Sequence, residues 1–103
     1  MSDVKSILSA HPGVFLLEEF MRPHGISSEG LARGLRVPVE CIDGFIKDER
    51  PITMDLALRL SRYFNTSAQV WLNLQNRYDL DKAEDDGLIL RIAQEVRPLA
   101  VGG

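Results

Sequence analysis

Several features that would narrow a reading at once are scarce in this sequence. There is one cysteine, Cys41, so no disulfide framework can form within the chain, which fits a reducing compartment. No apolar run approaches the roughly 20 residues a helix needs to cross a bilayer, so no membrane role is expected. Met1–Ala10 lacks the sustained apolar stretch and small-residue cleavage site of a secretory leader, and the expectation is a cytoplasmic protein. A basic excess is missing too: 12 lysines and arginines stand against 15 aspartates and glutamates, a formal net charge of −3. A strongly positive balance is the usual footprint of a nucleic-acid binder, so such a role has to rest on a local basic edge. No nucleophile–base set, phosphate-cradling loop or metal-ligand spacing occurs. The chain therefore reads as no enzyme, with no cofactor and no metal. Strand-like alternation and internal repeats are also absent.

What is present is helical. At 103 residues the chain is long enough for one domain that buries about two-thirds of its unfolded surface. With 45% hydrophobic and 26% charged residues it has the balance of a globular protein rather than a disordered one. Pro12 suits the first turn of a helix running to about Met21, whose apolar residues Val14, Leu16, Leu17, Phe20 and Met21 cover more than one narrow stripe. Ser27 or Ser28 caps a second helix ending near Leu35. A third runs from about Val39 to Ile46, with Gly44 a weak point in its interior. Thr53 caps a fourth helix with Leu56, Ala57, Leu60 and Phe64 inward. Asn65, Thr66 and Ser67 break the chain before a fifth, on which Trp71, Leu74 and Tyr78 follow at helical spacing. The acidic run Asp79–Gly87 reads as a turn-like linker. After it, Leu88, Ile89, Ile92, Ala93 and Val96 form a last amphipathic stripe before Pro98 and a frayed Gly102–Gly103 end. The expected architecture is all-α: a compact five-helix domain over 1–83 and a C-terminal extension over 84–103. The extension's stripe lacks obvious core partners and points to a homodimer.

The informative stretch is Ser27–Ile46, SSEGLARGLRVPVECIDGFI. Small Ala32 lets two helices approach closely. Leu35 and Val37 plug the angle between them, and Ile42 and Phe45 anchor the second helix. This is the spacing of a helix-turn-helix, whose second helix can enter a DNA major groove; a plain helical hairpin is the alternative. With Ile42, Phe45 and Ile46 inward, Val39, Glu40, Asp43 and Gly44 are expected outward, facing bases. Arg36, Lys47 and Arg50 would then lie at the phosphate rim, and Ser27 and Ser28 at a helix N-terminus suited to a phosphate. The face is acidic for that task. Glu40 can accept from a cytosine amine, but Glu40, Asp43 and the Asp48–Glu49 pair weaken the sequence-independent attraction.

Longer motifs extend the likeness. HPG at His11–Gly13, LLEEFM at Leu16–Met21, GIS at Gly25–Ser27 and LARGLRVP at Leu31–Pro38 occur in order. RPIT at Arg50–Thr53, ALRLSRYFNTS at Ala57–Ser67 and VWLNLQNRYDL at Val70–Leu80 follow. On these the chain from Pro12 to Ala83 resembles the HigA-type antitoxins, also called virulence-associated protein I, within the phage-repressor (XRE) helix-turn-helix family. The resemblance implies a homodimer that binds double-stranded operator DNA, represses its own operon and neutralises a RelE-like, mRNA-cleaving toxin. A basic toxin would meet an acidic or apolar surface; Val14, Leu17, Glu18 and Glu19 on the first helix are the candidates. The alternative is a protein-interaction module or orphan regulator of the same scaffold with weakened DNA binding.

Other conspicuous side chains have simpler readings. Trp71 belongs to a core rather than a base-stacking platform. His11 suits a turn or cap rather than a metal, and Cys41 lacks a neighbour to activate it. Glu18 and Glu19, adjacent on a helix, do not form a catalytic pair.

Overall fold

The computed structural model describes residues 11–100, so the expectations for Met1–Ala10 and Gly102–Gly103 fall outside the described residues. These residues form six helices and no strand. Helix α1 (Pro12–Leu16) starts with Pro12, where the missing N–H is no loss. It runs directly into a π-helical turn, Leu17–Met21, in which the Arg22 N–H donates to the Leu17 carbonyl at 2.9 Å. On a regular helix Leu16 and Met21 would stand about 140° apart. The wider turn brings both inside, which is why the apolar residues here exceed one stripe.

Helices α2 (Ser28–Leu35), α4 (Met54–Phe64) and α5 (Ala68–Asp85) each begin at a hydroxyl cap. The Gly30 N–H donates to Ser27 Oγ at 3.0 Å, Leu56 N–H to Thr53 Oγ1 at 3.1 Å and Val70 N–H to Ser67 Oγ at 3.3 Å. Helices α2, α3 (Val39–Ile46) and α4 stop in a common way. The Val37, Glu49 and Thr66 N–H groups reach back to Ala32, Gly44 and Ser61 carbonyls at 3.0, 2.8 and 2.9 Å. The residue before each donor, Arg36, Asp48 or Asn65, is left-handed with φ of 59°, 61° or 57°.

The acidic stretch corrects the expectation of a linker. Helix α5 continues to Asp85, and the turn is confined to Asp86 and Gly87, which is left-handed. Leu80, Lys82, Ala83 and Glu84 are good helix formers, and a Gln75–Asp79 side-chain bond one turn apart supports the same path. The boundary expected after Ala83 thus lies inside α5, and α6 (Leu88–Glu95) begins only after Gly87.

The core joins α1 to α5 through buried Leu16, Met21, Leu31, Ile42, Phe45, Leu60 and Trp71. Phe15, Phe20, Phe64 and Trp71 form an aromatic cluster with centroids 4.8–5.8 Å apart in tilted and edge-on pairs. The Trp71 indole N–H donates to Thr66 Oγ1 at 2.9 Å, so its polar end is satisfied. Helix α6 packs on α5 and buries no residue; Ile89, Leu90, Ile92 and Val96 stay exposed.

The tightest approach lies between α1 and the end of α3. A Cβ on Gly13 would stand 2.1 Å from the Phe45 carbonyl oxygen and 2.6 Å from Ile46 Cα, so the two backbones touch directly. Gly13→Ala is expected to destabilise the fold by about 1–3 kcal/mol, the usual penalty of overpacking. Thermal unfolding followed by circular dichroism checks this, and an unchanged midpoint would mean that α1 and α3 separate without cost.

Candidate nucleic-acid interface

Helices α2 and α3 meet as the spacing predicts. Leu31, Ala32 and Leu35 on α2 and Ile42 and Phe45 on α3 are buried, and Val37 in the turn packs against the same core. This leaves one flank of α3 outward. Glu40 and Lys47 are exposed and Asp43 is half-buried, and no side-chain hydrogen bond or ion pair engages them among the described residues. Val39, expected to face outward, is half-buried and packs on the core.

Gly44 corrects the expected base-facing set, because it is buried. Helical spacing alone turns it outward, but the chain folds back after Asp48 and lays the stem of Arg50 across it. A Cβ on Gly44 would meet Arg50 Cδ at 3.0 Å and Cγ at 3.1 Å. The Arg50 guanidinium continues to Cys41, with Nη1 3.6 Å from Sγ. Arg50 therefore lies along α3 as part of its surface, while Cys41 is half-buried beneath it. Arg36 sits exposed at the corner between α2 and α3, lining an open groove with Arg59, Arg62 and Tyr63 of α4. Ser27 caps α2 and Ser28 opens it, so the first-turn N–H groups of α2 lie at the start of the motif.

The support for this surface comes from side chains that sequence reasoning missed. Gln75, buried on α5, accepts from the Ile52 N–H at 2.9 Å through Oε1 and donates to Asp79 Oδ1 at 3.0 Å. One turn on, the Tyr78 hydroxyl donates to the Asp48 carboxylate. That bond, followed by burial and the negative charge of Asp48, Asp79 and Asp86, pushes the phenol pKa up to about 12. The Tyr78 ring lies 5.9 Å from the His11 ring, edge to face, and 5.7 Å from the Lys82 ammonium. On α4, Arg59 donates to the Leu35 carbonyl at 2.8 Å and to Asp55 at 2.6 Å, closing the open end of α2. Gln75 carried a sequence signal, a lone polar residue on the stripe of Trp71 and Tyr78. Arg59 carried none, because its partner is a backbone carbonyl on another helix.

The remaining expected site residues lie on other elements. On α1 and its π turn, Glu18 and Glu19 are exposed, with Glu18 3.4 Å from Arg22, while Val14 and Leu17 are half-buried and Leu17 packs on the core. On α6, Leu88 is half-buried and Ile89, Ile92, Ala93 and Val96 are exposed. Among the described residues no cluster of histidine, cysteine, aspartate or glutamate could hold a metal, and no helix is long and apolar enough to cross a membrane.

No family model matches the chain. Relatives do. Virulence-associated protein I of Dichelobacter nodosus is 49% identical over 76 residues, spanning 74% of this chain and 70% of that protein. The Pseudomonas aeruginosa antitoxin HigA, solved with the higBA promoter, superimposes with a TM-score of 0.81. It is 40% identical, covering 89% of this chain and 99% of its own. Antitoxin GraA in complex with its operator gives a TM-score of 0.81 at 36% identity, over 89% of this chain and 92% of its own.

Proposed function

Because this chain belongs to the family of HigA-type helix-turn-helix antitoxins, we propose that it is an autorepressor that binds operator DNA through α3 and neutralises a RelE-like toxin. It is a regulator of the antitoxin class rather than an enzyme. The observation that carries the DNA reading is a rigidly backed α3 whose outward residues Glu40, Asp43 and Lys47 have no partner among the described residues. The P. aeruginosa relative solved with promoter DNA supports the same use of the fold.

In this reading the N-terminus of α2, at Ser27 and Ser28, rests on a phosphate through its open N–H groups. Glu40 and Asp43 lie along the bases, with Glu40 accepting from a cytosine amine, while Val39 offers at most the part of its side chain that the core leaves uncovered. Arg36, Lys47 and Arg50 touch the sugar–phosphate backbone. Two copies would present their α3 helices to half-sites about 34 Å apart, one turn of duplex. Few cations and several carboxylates at the rim imply weak non-specific binding with a shallow salt dependence.

Titration against the chain's own promoter region tests this. Lys47→Ala is expected to weaken binding to all sequences alike and to lower the salt slope by about one. Glu40→Ala is expected to relax preference at one base pair by about 1–3 kcal/mol. No binding at low salt would sink the operator reading. The interaction-module reading, favoured by the carboxylates of Glu40, Asp43, Asp48 and Glu49 around α3, would then replace it.

The proposed dimer uses the exposed stripe of α6, Ile89, Ile92, Ala93 and Val96 with Leu88 at its base, because an apolar face left in water is stabilised by a second copy. Truncation after Asp86 is expected to halve the mass measured by light scattering. A dimer that survives truncation would move the interface elsewhere.

The proposed toxin surface lies on α1 and its π turn, where Glu18 and Glu19 offer charge to a basic partner and Val14 offers apolar area. Co-expression with the toxin of a neighbouring reading frame is expected to restore growth, and a Glu18→Lys, Glu19→Lys double variant to lose that rescue. Full rescue by the double variant would exclude this surface.

A further inference from the structure

The segment that leaves α3 carries two carboxylates, Asp48 and Glu49, between the cations Lys47 and Arg50. It is fastened to one face of α5 at both ends. Gln75 takes the Ile52 N–H at 2.9 Å, and Tyr78, three residues on, donates its hydroxyl to Asp48. These are the polar residues of the Trp71-to-Tyr78 stripe, whose apolar member Trp71 is already accounted for by the core. The Gln75 bond holds backbone. The Tyr78 bond does something different, because it holds a charge.

We infer that Tyr78 is a positioning residue for DNA binding, which ties the Asp48 carboxylate to α5 and keeps it off the phosphates that α3 approaches. The inference rests on the operator-binding reading and adds to it a residue far along the chain. Asp48 is left-handed with φ 61° and ends α3, so it follows directly on Lys47, the cation proposed for the duplex backbone. Asp48 makes no ion pair with Lys47 or Arg50 among the described residues. The hydroxyl of Tyr78 supplies the donor instead, on a ring bracketed by the His11 edge and the Lys82 ammonium 5.7 Å from its centre. A carboxylate so bonded is both turned toward α5, at the surface, and partly compensated. Released, it would add an anion beside the polyanion and oppose Lys47 at short range. Among the described residues Glu49 has no such tether, and the difference between the two neighbouring acids is the geometric content of the proposal.

Phenylalanine keeps the ring and removes the hydroxyl, so the test is a two-by-two cycle of Tyr78→Phe and Asp48→Asn. Binding to the promoter-region duplex is followed by fluorescence anisotropy at several salt concentrations, with thermal melts confirming that each variant is folded. Tyr78→Phe is expected to weaken binding about three- to tenfold at low salt, a loss that fades as salt rises because its origin is one unscreened charge. In the Asp48→Asn background the same change is expected to leave affinity unaltered. Asp48→Asn alone is expected to change affinity less than twofold, since the charge it removes is already held away. A loss on Tyr78→Phe that is equal in both backgrounds and constant with salt would show a structural role and overturn the inference. So would a several-fold gain from Asp48→Asn alone, which needs no tyrosine variant to fold. A wild-type chain that ignores the duplex at low salt would instead bring down the operator reading, and this inference with it.

Discussion

Helix α3 can present one flank to a partner only because its other flank rests on something that does not yield. That support is the bare backbone of Gly13, set against the carbonyl of Phe45 without a side chain between. Contacts between main chains leave few alternative arrangements, since neither partner has rotamers to change. Ile42 and Phe45 then lock the angle of α3 from within the core, and Val37 fills the corner toward α2. The angle between the two helices of the motif is set twice, once by packing and once by backbone contact with a third helix.

From that fixed axis three polar side chains of the later helices reach back to the connections. Arg59 closes the end of α2, Gln75 satisfies Ile52 and Tyr78 takes up Asp48. Each reaches from a later helix to the helix-turn-helix or the segment leaving it. Helices α4 and α5 therefore act as a frame for the motif.

Much of this was legible in order along the chain. A serine at 27 or 28, Thr53 and the Asn65–Ser67 run announce three helices because a hydroxyl before an apolar stripe has few better uses than capping, and the structure puts the caps at Ser27, Thr53 and Ser67. The helix-turn-helix followed from Ala32, Leu35, Val37, Ile42 and Phe45, whose spacing specifies two helices at one angle. What escaped depends on contacts distant in sequence. Gly44 looks outward until Arg50 returns over it, and the π turn at Leu17–Met21 widens only because Leu16 and Met21 must both enter the core. The acids after Asp79 resemble a linker by composition, yet the helix-forming residues among them carry α5 on to Asp85. Gln75 and Tyr78 stood in plain view inside a motif, but their partners at Ile52 and Asp48 could be known only from the fold.

The left-handed helix ends have a consequence for anyone engineering the chain. Asparagine tolerates that conformation well and aspartate passably, so Asn65 and Asp48 are ordinary choices; arginine at position 36 is not. A glycine there would relax the corner between α2 and α3 by about 1 kcal/mol. It would also delete a guanidinium from the rim of the motif. If Arg36 touches the duplex as proposed, durability and reach are set against each other at a single codon, and a hardier version of this protein obtained there would have a blunter grip.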